Sequence, residues 1–113
     1  MPNRSTINQT PPAEVERALR RLGRNLRTAR LRRRLRVQDV ADRLGVSRLT
    51  VAGLERGKPG ASAAAYFGAL WSLGLLGEAE DLANPDRDEE GKILESTRRP
   101  KQAPRRRQLD NDF

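Results

Sequence analysis

The sequence predicts an all-α chain of five helices between polar, disordered ends. Three observations carry that expectation. Apolar residues recur at three- and four-residue spacing, the spacing of one helix face, from Val15 to Leu73. Glycines and serines punctuate them where helices stop and start: Gly45, Gly57 and Gly74 as stops, Ser47 and Ser62 as N-caps. Outside this stretch, Met1 to Pro12 and the residues from Asn84 onward hold too little apolar material to bury.

The first helix is long, about Pro12 to Arg34, with Val15, Leu19, Leu22, Leu26 and Ala29 along one stripe. Arg17, Arg20, Arg21, Arg24, Arg27, Arg32, Arg33 and Arg34 cover much of the rest and repel one another unless an anion or solvent screens them. Leu35 anchors the loop that follows. A short helix runs about Val37 to Leu44, with Val40, Ala41 and Leu44 on one face and Ala41 small enough for a close crossing. Gly45 stands where a tight turn needs a left-handed residue. Ser47 caps the next helix, about Arg48 to Arg56, which buries Val51 and Leu54 and ends at Gly57.

Two short helices joined by such a turn make a helix-turn-helix. Its second helix presents Arg48, Leu49 and Ala52 away from the core, near the end that enters a DNA major groove. After a turn at Pro59, Gly60 and Ala61, Ser62 caps a fourth helix reaching about Leu73. Ala65, Tyr66, Ala69, Leu70 and Leu73 form one apolar face of it, and Phe67 and Trp71 a second. A helix apolar on two sides is buried on two sides. Either the long first helix folds over Phe67 and Trp71, or a second subunit does, with Leu75, Leu76 and Leu82 of a short fifth helix joining the interface. A dimer is the favoured reading, since duplex half-sites are read by two-fold pairs.

The organisation is therefore an arm at residues 1–12, a DNA-binding domain at 13–83 and a charged tail at 84–113. Arg4 of the arm is a candidate for an adjacent minor groove. In the tail, Glu78 to Glu95 carries eight acids against Arg87 and Lys92, and Arg98 to Arg107 carries six bases and two prolines. Ile93 and Leu94 are expected to form no more than a short helical turn there.

Composition narrows the function. The chain of 113 residues has no cysteine and no histidine, so no thiolate site, no usual zinc ligand and no histidine base is available. An enzyme is not expected, and neither a cofactor nor a metal. No apolar run approaches the roughly 20 residues that span a bilayer, and the N-terminus lacks a signal core, so a cytoplasmic, nucleoid-associated protein is expected. The net charge is +8. Residues 1–60 hold 15 Lys/Arg against 5 Asp/Glu (+10), and residues 61–113 hold 8 against 10 (−2). The positive half is the half with the helix-turn-helix, which makes a polyanion its partner. Few aromatics are present for base stacking, which disfavours RNA.

The segments LRTAR (26–30), DVADRLGVS (39–47), TV (50–51) and LERGK (54–58) resemble the lambda-repressor-type, or Xre and Cro/C1, helix-turn-helix family. The resemblance implies a five-helix domain whose extended first helix begins before the family's own boundary, near Leu19 to Leu22. It implies that Arg30 and Glu55 pair as a structural clamp. It departs at Arg34, Arg36 and Val37, where relatives carry glycine, a small hydroxyl residue and a glutamine that bonds phosphate; Gln38 or Arg36 are the candidates to compensate. Arg48 is the expected base contact, its guanidinium matching guanine O6 and N7, with Leu49 or Ala52 against a thymine methyl. Ser47, Thr50 and Lys58 are expected phosphate contacts. Gly53 occupies a position that often reads bases in relatives and has no side chain to do so.

The segment YFGALWSLGLLGEAEDLANPDRDEEGKILE is similar to regulators found beside HipA-type kinases, which implies an antitoxin that represses its own promoter. Two readings follow: a dimeric repressor on a palindromic operator, or chiefly an inhibitor of a partner toxin kinase whose DNA binding is secondary.

Overall fold

The computed structural model describes residues 6–98, and those residues contain seven α-helices, one 3-10 turn and no strand. They fall into two compact units that divide after Glu80. Arg4 and the basic run beyond Arg98 lie outside the described residues.

The first unit opens with a four-residue helix, α1 (Thr6–Gln9), inside the stretch expected to be an unstructured arm. Its single turn is closed by the Thr10 N–H on the Thr6 carbonyl at 2.8 Å. The long helix α2 (Ala13–Arg32) follows Pro12, with Glu14 and Glu16 in its first turn and Arg30 and Arg32 in its last, the arrangement that complements its dipole. Leu26 and Ala29 are buried and Leu19 and Leu22 partly so. Val15, expected on the same stripe, is instead exposed and is not among the residues packed against the core cluster.

The helix pair forms at α3 (Val37–Leu44) and α4 (Arg48–Glu55). Gly45 closes α3 at φ +68°, and the Val46 N–H reaches back to the Ala41 carbonyl at 3.1 Å. Such a closure requires the left-handed residue between them. Val40, Ala41 and Val51 form one buried cluster in the crotch of the pair. The larger cluster, of Leu26, Ala29, Leu54, Tyr66, Ala69 and Leu73, joins α2 and α4 to α5 (Ala63–Ser72). Leu44 packs against both. Ser62 caps α5, accepting the Ala65 N–H at 3.0 Å, and Gly74 at φ +76° ends it. A last short helix, α6 (Leu76–Ala79), ends before Leu82, so Leu82 belongs to the following unit and not to the fifth helix of the domain.

In the second unit a 3-10 turn (Pro85–Arg87) leads into α7 (Glu89–Arg98). Asn84 caps the turn by accepting the Asp86 N–H at 2.9 Å, and Asp88 accepts the Gly91 N–H at 3.0 Å at the start of α7. A ten-residue helix thus stands where at most one helical turn was expected. Glu89 and Glu90 at its start and Arg98 at its end suit its dipole, and none of its residues is buried.

One departure from the family pattern leaves a mark on the backbone. Arg34 sits at φ +55° between α2 and α3. The turn demands the left-handed conformation, and an L-residue with a Cβ adopts it at a cost of about 1–2 kcal/mol. Arg34→Gly is therefore expected to raise the thermal midpoint, by about 1 kcal/mol of stability at most once the extra chain entropy of glycine is subtracted. Thermal unfolding followed by circular dichroism measures it.

Candidate nucleic-acid interface

The position of α4 is set from its inner side. Val51 and Leu54 are buried to 2% and 0% exposure. Gly23 of α2 lies so close to the end of α4 that a Cβ there would stand 2.5 Å from the Glu55 carbonyl oxygen. Gly57, at φ +79°, meets the α2 backbone in the same way: its Cβ would fall 2.6 Å from the Arg20 nitrogen. The two glycines let the helix backbones touch where any other residue would hold them apart. The sequence held a sign of this, a glycine in the middle of an otherwise strong helix pattern, which is usually there for packing.

Arg30 and Glu55 complete the docking. Nε donates to Oε2 at 2.7 Å, Nη2 to Oε1 at 3.0 Å, and Nη1 to the Leu35 carbonyl at 2.9 Å. The two side chains are 9% and 10% exposed. The hydrogen bonds it donates to Glu55 push the guanidinium above the usual arginine value, against the desolvation that opposes it. Arg30 joins the end of α2, the loop and the last residue of α4, and it faces away from the outer side of α4.

At the start of α4 the Ser47 hydroxyl accepts the Thr50 N–H at 3.2 Å and lies 3.2 Å from the Thr50 hydroxyl. Ser47 and Arg48 are exposed and Thr50 half-buried, so two hydroxyls and a guanidinium gather at one helix end. Arg48 makes no hydrogen bond or ion pair with another described residue. Leu49 is 81% exposed, the most open large apolar residue among those described. Ala52, expected to point outward, is half-buried. Lys58 is exposed at the opposite end of α4.

The two residues expected to replace the missing glutamine each bond an acid of α3 three or four residues further on. Arg36 places Nη2 2.8 Å and Nε 3.3 Å from the Asp39 carboxylate, which also accepts the Arg36 backbone N–H at 2.7 Å. Arginine has no acceptor to offer the helix, so the Asp39 side chain closes the first turn of α3 in place of the absent hydroxyl. These bonds hold the Asp39 carboxyl below the usual range, the Arg36 guanidinium foremost. Gln38 gives its amide N–H to Asp42 at 2.7 Å. A further tie had no sequence signal: Arg43 Nη1 donates to the Ser72 carbonyl at 2.5 Å, placing a cation at the end of α5.

A family model described as a helix-turn-helix domain matches residues 21–81, more than half of the chain. The chain belongs to the helix-turn-helix domain family. The match opens inside α2 and closes just after α6, so the first two turns of α2 precede the matched domain. No curated protein and no solved structure matched the chain. Among the described residues no helix is long and apolar enough to cross a membrane.

The clamp makes a stability prediction. Glu55→Ala leaves the Arg30 guanidinium buried and unpaired, and breaking a buried pair from one side costs about 3–5 kcal/mol. Replacing both residues, Arg30→Met with Glu55→Leu, is expected to recover most of that loss, as read from urea denaturation midpoints.

Proposed function

We propose that this helix-turn-helix protein is a sequence-specific transcriptional repressor that binds a palindromic operator as a homodimer. The observation that carries the reading is the division of α4 into two sides. Val51 and Leu54 are sealed against the core, while Arg48 and Leu49 stand open at the helix start, and the Arg48 side chain pairs with no other described residue. A free guanidinium beside a bare isobutyl group matches what a major groove displays: guanine acceptors and a thymine methyl. Ser47, Thr50 and Lys58 flank them as phosphate donors. Binding, not turnover, is the role proposed for this surface.

The dimer reading is supported by α5. Phe67 and Trp71 are 41% and 58% exposed on one helix face, so α2 does not cover them. Leu75 and Leu76 continue the apolar surface, each half-buried. Two copies joined through that face would offer two recognition helices about one helical turn of DNA apart and so block a promoter.

The similarity to regulators beside HipA-type kinases supports a narrower role, an autoregulating antitoxin. One observation favours the inhibitor as a second reading: α7 exposes Ile93 at 63% and Leu94 at 54%, two adjacent large apolar residues on the segment that carries that similarity.

Two experiments test these readings. Footprinting on the protein's own upstream DNA, with and without the product of the adjacent gene, is expected to give a two-fold symmetric footprint. Arg48→Ala should lower affinity for that site by about 1–3 kcal/mol while leaving affinity for random duplex within twofold. Equal affinity of the wild type for random duplex would remove the operator reading. If Arg48→Ala changes nothing in cells and loss of Asn84 to Phe113 abolishes function, the inhibitor reading replaces it. Sedimentation equilibrium decides the assembly: a dimer that Trp71→Ala converts to monomer is expected, and a wild-type monomer at micromolar concentration would count against it.

A further inference from the structure

Gly53 lies on the outer side of α4. It is four residues beyond Leu49 and three before Arg56, so these three share a face. Yet Gly53 is buried. What covers it is Lys58: a Cβ built on Gly53 would meet Lys58 Cδ at 3.4 Å and Lys58 Cβ at 3.8 Å. A Cβ on Gly60 would meet Lys58 Cε at 3.9 Å. The lysine stem thus runs back along the recognition helix, over the bare backbone at residue 53, with Gly60 on its other flank.

Its backbone is pinned as well. The left-handed Gly57 turns the chain so that the Lys58 N–H donates to the Gly53 carbonyl at 3.0 Å. The Lys58 carbonyl accepts the Tyr66 hydroxyl at 2.7 Å and the Ala61 N–H at 3.3 Å. Tyr66 is itself buried in the core of α5. The ammonium has no hydrogen bond or ion pair with another described residue and is exposed. A lysine normally loses much side-chain freedom on binding an anion. Here the main chain is held by those hydrogen bonds before any anion arrives, and the stem already lies along Gly53.

We infer that Lys58, its stem laid over Gly53 and its carbonyl held by Tyr66, is a preorganised phosphate contact that takes the place of the side chain absent at residue 53, and that Tyr66 is its positioning residue. The inference rests on the DNA-binding reading of α4 and names how one of its contacts is built. The choice of phosphate over a base edge follows from place. The start of a recognition helix meets base edges, and the later turns leave the groove toward its backbone wall. An ammonium is a point charge suited to that wall and carries no bidentate pattern.

The test is a double-mutant cycle on binding to a mixed-sequence duplex of about two helical turns, over a potassium chloride series. Lys58→Ala is expected to weaken binding about tenfold at low salt and to reduce the slope of log K against log salt by about 0.9, the mark of one lost phosphate contact. Tyr66→Phe should lose part of the same affinity and slope, and in the Lys58→Ala background it should cost nothing further. Gly53→Leu displaces the stem without touching Tyr66 and should reproduce the slope change, which keeps the test open if Tyr66→Phe unfolds. Circular dichroism melts establish that each variant is folded at the working temperature.

An unchanged slope in Lys58→Ala, or losses that multiply in the cycle, would overturn the inference. So would a changed preference at a single base pair, measured by selection from a randomised pool, because that marks a base contact. Failure of the wild type to bind any duplex is a separate result, seen before the variants are made, and it would sink the reading of α4 as well.

Discussion

The Arg30 guanidinium and the Glu55 carboxylate share two hydrogen bonds in a site that is nearly dry, and the third bond of the arginine goes to the Leu35 carbonyl. The backbone repeats the link in reverse, since the Leu35 N–H donates to the Arg30 carbonyl at 3.1 Å. One residue therefore fixes the end of α2, the loop after it and the last residue of α4. This constrains the interface in a specific way. With Glu55 tied to Arg30 and Gly23 against its carbonyl, α4 has no freedom to slide or rotate over α2. The outward direction of Arg48 and Leu49 follows from that. The left-handed Arg34 follows too: the loop it sits in is held at Leu35 on both sides, and the chain tolerates the strained residue because the clamp over-determines the path.

The helix-turn-helix was legible in the sequence because its signals are local. The spacing of Val40, Ala41, Leu44, Val51 and Leu54, the turn at Gly45, the cap at Ser47 and the stop at Gly57 each act within a few residues, and α3 and α4 occupy the expected positions to within one residue. What escaped was non-local or depended on competition. Gly23 reads as a weak spot in a helix until the backbone of α4 is placed against it. The tie from Arg43 to Ser72 spans 29 residues and involves a carbonyl, which leaves no trace in a side-chain pattern. The pairs of Arg36 with Asp39 and of Gln38 with Asp42, three and four residues apart, are local, and they were not assigned from the sequence. Helix α7 has no periodic apolar stripe and buries no residue, so the pattern that reveals a packed helix was absent from its sequence.

The same competition clarifies the charge. Many arginines of the basic half already have occupants: Arg30 has Glu55, Arg36 has Asp39, Arg20 has Glu16 at 3.0 Å, and Arg33 donates to the Ala29 carbonyl at 2.9 Å. Net charge therefore overstates the number of cations ready for a polyanion. Exposed pairs such as Arg20 with Glu16 are worth little and exchange readily with phosphate. The buried clamp does not exchange. A steep salt dependence would thus draw on a pool of solvent-screened arginines, whereas orientation on the duplex rests on the few cations that the fold itself positions.

Helices α3 and α4 are eight residues each, well short of the roughly 12–15 at which an isolated helix holds together in water. The recognition helix exists only because Val51, Leu54 and Glu55 are anchored. Its outward face is consequently a property of the whole first unit, and any core change that raises the unfolded fraction lowers apparent DNA affinity without touching a contact. The linkage runs both ways: bound duplex stabilises the fold in proportion to the logarithm of its concentration over the dissociation constant. Affinity and stability are coupled equilibria in this molecule. A variant such as Glu55→Ala that fails to bind DNA has not thereby been shown to touch it, and only behaviour that stability cannot mimic, a changed salt slope or a changed base preference, identifies a residue at the interface.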